Sequence, residues 1–440
     1  MSDFLASRSQ QSAAVRACFD DAALAGAMLS FEVQLAAAQA ELNLIPRAAA
    51  GVVETVARDF VMTGDWAAAA AEAGTLALPL VAALSRAVVA IDSSAGDFVH
   101  YGSTSQDAID TAMALCTQNA AAELLRQLRA AATAARALGR NHATTPMLAR
   151  TLLQAAGITT FGRKAQRWAD SLLRCADRIE AAAAEALVVS LAGASGDALR
   201  FGAAAAPLRA ALARRLALGD PGDTWHSERD RWIALGASVA VAGGTMRKIA
   251  RDLALLAQTE VGEVSETFAA GRGASTAMPQ KRNPVGCLRV LAACQPMPGL
   301  AANLLASMAQ EHERALGDWQ AELGQWRELW AYAGGAAESL VALMTGLEVD
   351  ATRCRINIAA TRGLAFAEAL AQHWATAIGW QAAQTLVGRL CARVSTGGVE
   401  LLDLARAEIA VRPELGDEAS LRAVFDLESV AAVVAQRMLN

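Results

Sequence analysis

Three stretches of this chain, at about 106–140, 153–185 and 229–269, hold a helical apolar period far longer than an average globular helix. Helices of that length, joined by short interruptions, are stable only when they cover one another's apolar faces, so an all-α bundle is expected. Shorter helical patterns run over 21–43, 47–98, 284–309 and 322–347, and a smaller helical region follows from about 350 to 440. No period-two strand pattern of useful length is visible, and no glycine fingerprint follows a strand. No internal repeat or low-complexity tail interrupts the pattern.

At 440 residues and 54% apolar content the chain can bury a large core and exceeds one ordinary domain. It has no apolar signal core at its start and no run of eighteen uncharged apolar residues, so a cytoplasmic protein with no membrane partner is expected. The net charge of −5 and the absence of a basic stripe argue against nucleic acid. Seven cysteines are scattered singly, which reads as reduced, buried small hydrophobes. No Cys/His cluster has metal-ligand spacing, so neither a metal nor another cofactor is expected.

Three polar islands break the helices, at 100–107, 142–154 and 271–285. The third, Gly271-Arg-Gly-Ala-Ser-Thr-Ala-Met-Pro-Gln-Lys-Arg-Asn-Pro-Val285, packs two glycines, two hydroxyls, two prolines, a lysine and an asparagine into fifteen residues. It is a loop with the parts anion chemistry wants: backbone N–H groups in a glycine-rich turn, a cation and an amide. Lys281 is one of only three lysines, against 36 arginines. The first island holds His100, Ser103, Thr104 and Ser105 just before a long helix, and its hydroxyl residues taken alone read as helix caps. The second holds His142, Arg150 and Gln154. Taken alone, His142 is an ordinary surface or core histidine, and Arg150 a buried ion-pair partner.

Ser275-Thr-Ala-Met-Pro-Gln-Lys-Arg-Asn-Pro284 resembles the signature loop of the fumarase/aspartase superfamily, whose Met-Pro-x-Lys-x-Asn-Pro core it matches in full. Gly102-Ser-Thr-Ser-Gln-Asp107 is similar to that superfamily's Thr-Ser-x-Asp segment, and Gln258-Thr-Glu-Val-Gly-Glu263 resembles the helical stretch preceding the loop. Within the superfamily, the stretches 99–111, 225–231 and 310–319 are most similar to its carboxymuconate cycloisomerase branch. Many lyases of the superfamily carry a histidine in Arg-Thr-His-x-Gln, whereas this chain reads Arg150-Thr-Leu-Leu-Gln154, and the cycloisomerases also lack that histidine. The departures are Ala274 for a glycine, Thr276 for a serine, Ala149 for a glycine, and Ala155-Ala156 where relatives often carry a histidine.

The resemblance implies three helical domains, at 1–103, 104–347 and 348–440, with the central long helices assembling four subunits into one bundle. It implies a small dicarboxylate or tricarboxylate as substrate, bound at sites shared between subunits of a homotetramer, without a cofactor. By the same likeness Lys281 and Asn283 would hold a substrate carboxylate and the enediolate. Thr104 and Ser105 would hold a second carboxylate, and Arg150, Gln154, His100, Thr276 and Met278 would line the site. The proton would come from Ser275 or from His142. Another lyase of the fold, acting on adenylosuccinate or a substituted succinate, is the alternative enzyme. A non-catalytic crystallin-like relative is the alternative outside enzymes, and intact Ser275, Lys281 and Asn283 argue against it.

Overall fold

The long helices exist, and the first sets the frame. Ser105–Asn141 runs for 37 residues, about 55 Å of continuous helix. Along its first two thirds Ala108, Ile109, Ala112, Met113, Cys116, Ala120, Leu124 and Leu128 are buried, the three-and-four spacing that lays one stripe against neighbouring helices. Phe161–Ala186, Asp230–Leu256 and Asp318–Thr345 are the other three long helices. The computed structural model describes residues 4–267, 273, 278 and 280–436.

The chain divides into two compact units. The first takes Met1–Leu128, Arg174–Arg247 and Arg289–Glu338. Its interior carries a tryptophan stack, with Trp232 and Trp326 rings 4.0 Å apart at the centroids and 15° between planes. Gly236 makes the stack possible, because a Cβ there would stand 2.9 Å from the Trp326 ring. A second cluster joins Ala36, Ile45, Val53, Leu84 and Val88 between the shorter N-terminal helices. Asp20 caps the first of these, Asp21–Glu41, by accepting from Ala23 N at 2.8 Å.

The second unit takes Arg129–Leu173, Lys248–Leu288 and Ser339–Asn440. Its C-terminal helices close on Leu370, Trp374, Leu386, Leu390, Leu401 and Leu404, each fully or nearly fully buried. Burying one such side chain is worth about 1.5–3 kcal/mol, so this cluster can hold its helices together without help from propensity.

The all-α reading holds, with one correction that matters for the site. Residues 146–160 form an antiparallel hairpin, Pro146–Thr151 against Gln154–Thr160, where no strand was expected and where helix was expected from 153. The helix begins only at Phe161. The strands escape notice because burial runs along them and does not alternate between faces. Pro146, Met147 and Leu148 are buried in succession, while 151–156 are all exposed. The helix expected to reach 269 stops at Leu256, and Gln258–Glu263 is a turn, closed where Val261 and Gly262 donate to the Gln258 carbonyl. Gly262 takes φ +60° there, a conformation few other residues adopt cheaply. The helix expected over 284–309 is two ten-residue helices, Val285–Cys294 and Met297–Ala306, parted at Pro296. Their combined stretch has the length and apolarity of a membrane span, but each part reaches only about 15 Å, half a bilayer core.

Candidate active site

Island one lies in the first unit and is built around a carboxylate. Asp107, fully buried, accepts from Ser190 Oγ at 3.1 Å, Ala192 N at 2.9 Å and His226 Nε2 at 2.8 Å through one oxygen. Its other oxygen accepts from Thr104 N at 3.0 Å and Gly193 N at 2.9 Å. Burial alone pushes this carboxyl up, but His226 and the backbone donors outweigh it and hold the pKa below the ordinary 3.8. One side chain thereby fixes Thr104 at the helix start against the 190–193 segment. The Thr104 hydroxyl in turn accepts from Arg314 at 3.0 Å.

His100 stands four residues earlier at φ +59°, with Nδ1 2.5 Å from Glu32 Oε1. Burial disfavours its charged form, yet the buried Glu32 carboxylate prevails and the His100 pKa is raised. Behind island one, Arg229 is wholly buried between Asp110 (3.0 and 3.2 Å) and Glu322 (2.6 and 3.3 Å), with Trp319 Nε1 donating to Asp110 at 3.0 Å. Burial opposes the guanidinium charge, and the two carboxylates more than compensate, raising its pKa.

Islands two and three lie in the second unit. His142 follows the last turn of the long helix at the base of the hairpin, its Nδ1 3.2 Å from Thr145 Oγ1 and its ring edge-on to Phe161. Partial burial lowers its pKa below the ordinary 6.5. Gly162 must be glycine for this corner to close, since a Cβ would lie 2.7 Å or less from the backbone of 139–143. Arg150 and Gln154 stand at the other end of the hairpin, where Thr151 pairs with Gln154. Five strand residues separate that end from the base, about 17 Å, so the fold does not bring His142 and Gln154 of one chain to one small molecule.

Arg150 makes a two-pronged ion pair with fully buried Glu263, at 2.8 and 2.6 Å, and Asn357 donates to the same carboxylate at 2.9 Å. The hairpin tip is Leu152-Leu153, at φ +51° and +65°, with the side chains 97% and 74% exposed. Neither tip residue is itself ionisable, and Leu153 lines a cavity of about 350 Å³ with Arg150, Lys164 and Asp252.

Of island three, Ser275 and Thr276 lie outside the described residues. Lys281 and Met278 are exposed, and Lys281 N donates to Met278 O at 3.0 Å. Asn283 turns back on the loop, its N and Nδ2 both reaching Gly273 O, at 3.0 and 3.3 Å. At the loop exit Glu266 accepts from Gly286 N at 2.8 Å and Cys287 N at 3.0 Å, capping the helix that starts at Val285.

Sequence reasoning missed the partners: His226 for Asp107, Glu263 for Arg150, Arg229 with Asp110 and Glu322, and Arg314 for Thr104. A signal was present in Asp107 and Asp110. Two acids three apart, on a stripe with Ala108, Ile109 and Ala112, must be buried and must each find a donor.

A lyase family model matches residues 7–299. The chain is 40% identical over 408 residues to 3-carboxy-cis,cis-muconate cycloisomerase of Pseudomonas aeruginosa, covering 92% of this chain and 89% of the relative. It is 39% identical over 402 residues to nitrosuccinate lyase of Streptomyces davaonensis, covering 89% and 85%. The solved structure of β-carboxy-cis,cis-muconate cycloisomerase from Acinetobacter calcoaceticus sp. ADP1 matches with a TM-score of 0.90 and 33% identity over 99% of both chains. With the signature loop, the helical framework and a family match over most of its length in place, the chain belongs to the lyase family of the fumarase/aspartase superfamily.

Proposed function

We propose that this protein is a cycloisomerase that closes 3-carboxy-cis,cis-muconate to 4-carboxymuconolactone, in the breakdown of aromatic compounds through protocatechuate. The observation that carries the reading is the bare hairpin tip, Leu152-Leu153. Lactonisation suits a tip whose own two side chains offer no base, because the nucleophile belongs to the substrate and is already a carboxylate. One substrate carboxylate oxygen forms a C–O bond to the carbon beta to a second carboxylate. The π pair moves onto that second carboxylate as an enediolate, and one proton from the enzyme lands on the alpha carbon. Since attack is intramolecular, folding the substrate correctly supplies a large share of the rate.

In this reading Lys281 and Asn283 receive a carboxylate and the growing enediolate charge, where each well-placed donor is worth roughly 3–4 kcal/mol. Thr104 and Ser105, at the positive end of the 37-residue helix, receive another carboxylate. Arg150 acts through Glu263, holding the hairpin to the turn before the loop, and Gln154, His100, Thr276 and Met278 line the site. We assign the proton to Ser275 ahead of His142, because Ser275 is on the same short loop as Lys281 and Asn283, which receive the growing enediolate charge. Four subunits sharing their sites, in the cytoplasm, complete the proposal.

The test is ultraviolet loss of 3-carboxymuconate with purified protein, run beside fumarate release from nitrosuccinate and adenylosuccinate. Consumption of the dienoate supports the cycloisomerase. An untouched dienoate with fumarate released refutes it in favour of a substituted-succinate lyase.

A further inference from the structure

We propose that Glu32 is the positioning residue for His100, holding its ring as a cation with Nε2–H presented to a substrate carboxylate. The inference deepens the reading above and rests on it only for the place of His100 in the site. The reaction brings carboxylates into a small volume as water leaves, and each must meet a donor or a cation. A histidine serves that purpose as a cation in one protonation state alone, so its surroundings must select that state.

Glu32 lies on the Asp21–Glu41 helix and is 2% exposed, while the His100 side chain keeps 17%. Its Oε1 stands 2.5 Å from His100 Nδ1, and its Oε2 is buried without a partner. A carboxylate so placed is tolerable beside an imidazolium and costly beside a neutral ring, because burial leaves it no water. Gln39, seven residues on and so on the same face of the helix, donates to Tyr101 O at 2.7 Å. Ser103 N and Oγ both donate to His100 O, at 3.3 and 3.1 Å. Ring and backbone are thus held from both sides, at a φ of +59° that residues with a side chain seldom adopt.

Nε2 meets no protein acceptor among the described residues. The charged groups of this corner are Glu32, Asp107 bound by His226, Arg314 on Thr104, and Arg200, which covers the neighbouring Tyr101 ring at 4.7 Å. Burial disfavours the imidazolium, and Glu32, with Asp107 adding, outweighs burial and raises the pKa. Removing the Glu32 charge leaves burial, the largest influence, to lower it. A neutral ring that gives Nδ1–H to residue 32 offers a lone pair at Nε2, which repels the carboxylate that the cation would bind.

Glu32→Gln keeps the size and an acceptor and removes the charge. It should be assayed with whichever of 3-carboxymuconate, nitrosuccinate and adenylosuccinate the parent consumes. Above pH 6.5 its KM should exceed the parent's roughly 10-fold, as for one charge-assisted contact, with kcat changed far less. The two KM values should converge as pH falls and the variant's ring gains its proton, whereas a merely structural loss would give a ratio independent of pH. His100→Gln should raise KM at every pH, and adding Glu32→Gln to it should do no further harm. Exchange of the imidazole C2 proton, followed by mass spectrometry, reads the His100 titration without any substrate. The midpoint should lie above 6.5 in the parent and below it in Glu32→Gln. A pH-independent KM ratio, a parent midpoint at or below 6.5, or a double variant weaker than His100→Gln would overturn the assignment. If His100 titrates as stated and the parent consumes a substituted succinate but not 3-carboxymuconate, the substrate named above is wrong and Glu32 keeps its role.

Discussion

Replacing Asp107 with asparagine keeps the shape of the side chain and removes what the shape is for. Five donors converge on its two oxygens, three on one and two on the other. An amide offers a single oxygen, so in its better orientation the Thr104 and Gly193 N–H groups face an NH₂. Two charge-assisted bonds at about 1.5–3 kcal/mol each are lost, and two buried donors are left without acceptors. The expected cost is about 3–5 kcal/mol in the first unit. Urea unfolding followed by tryptophan fluorescence reads it, because buried Trp225 donates to Val189 O in the same segment. The pH dependence has a definite sign. The folded pKa of Asp107 lies below 3.8, so its contribution is complete above 3.8 and is lost as pH falls beneath it. The Asp107→Asn protein should therefore lose less stability than its parent on acidification through that range. Turnover should fall about 100-fold as well, since Thr104 loses its anchor and an ångström of misplacement costs that much. An Asp107→Asn protein within about 0.5 kcal/mol of the parent would refute the reasoning, for that is the range of an ordinary surface change.

Arg229→Met should destabilise the first unit by about 3–5 kcal/mol, because Asp110 and Glu322 stay buried without their cation. Replacing all three by apolar residues should recover most of the loss, and a single variant no less stable than the triple in urea would contradict this. Leu152→Asn with Leu153→Gly should lower the melting temperature of the assembled protein, because the relief of two left-handed φ values by an Asn-Gly turn, about 1–2 kcal/mol, is outweighed by the loss of the contact that covers the leucines. A rise in melting temperature would show that the leucines stand in water. With Ser275 as donor, kcat/KM should show no loss as pH rises through values just under 6.5. A protonated His142 donating from its lowered pKa would produce such a loss, and observing it would move the proton to His142.

What the sequence displayed and what it hid divide along the distance over which a residue finds its partner. The period of about 106–140 is satisfied within each turn of helix, so the Ser105–Asn141 helix could be read from its own residues. The loop containing Lys281 and Asn283 was legible for the same reason, as its composition is local and its motif contiguous. Arg150 and Glu263 lie 113 residues apart, and Asp107 and His226 lie 119 apart. Nothing in either neighbourhood names the other, so the sequence could say that such buried charges need partners and not which ones. The hairpin at 146–160 fails in a different way. Its buried half is an apolar run and its exposed half carries Leu152, Leu153, Ala155 and Ala156, so hydrophobicity there does not report burial at all. Apolar residues left in water on a strained turn cost the fold of one chain free energy, and local propensity would have replaced them. Their presence is a reason to look for a contact that a single chain does not provide, which is the ground on which shared sites in an assembled oligomer are worth testing.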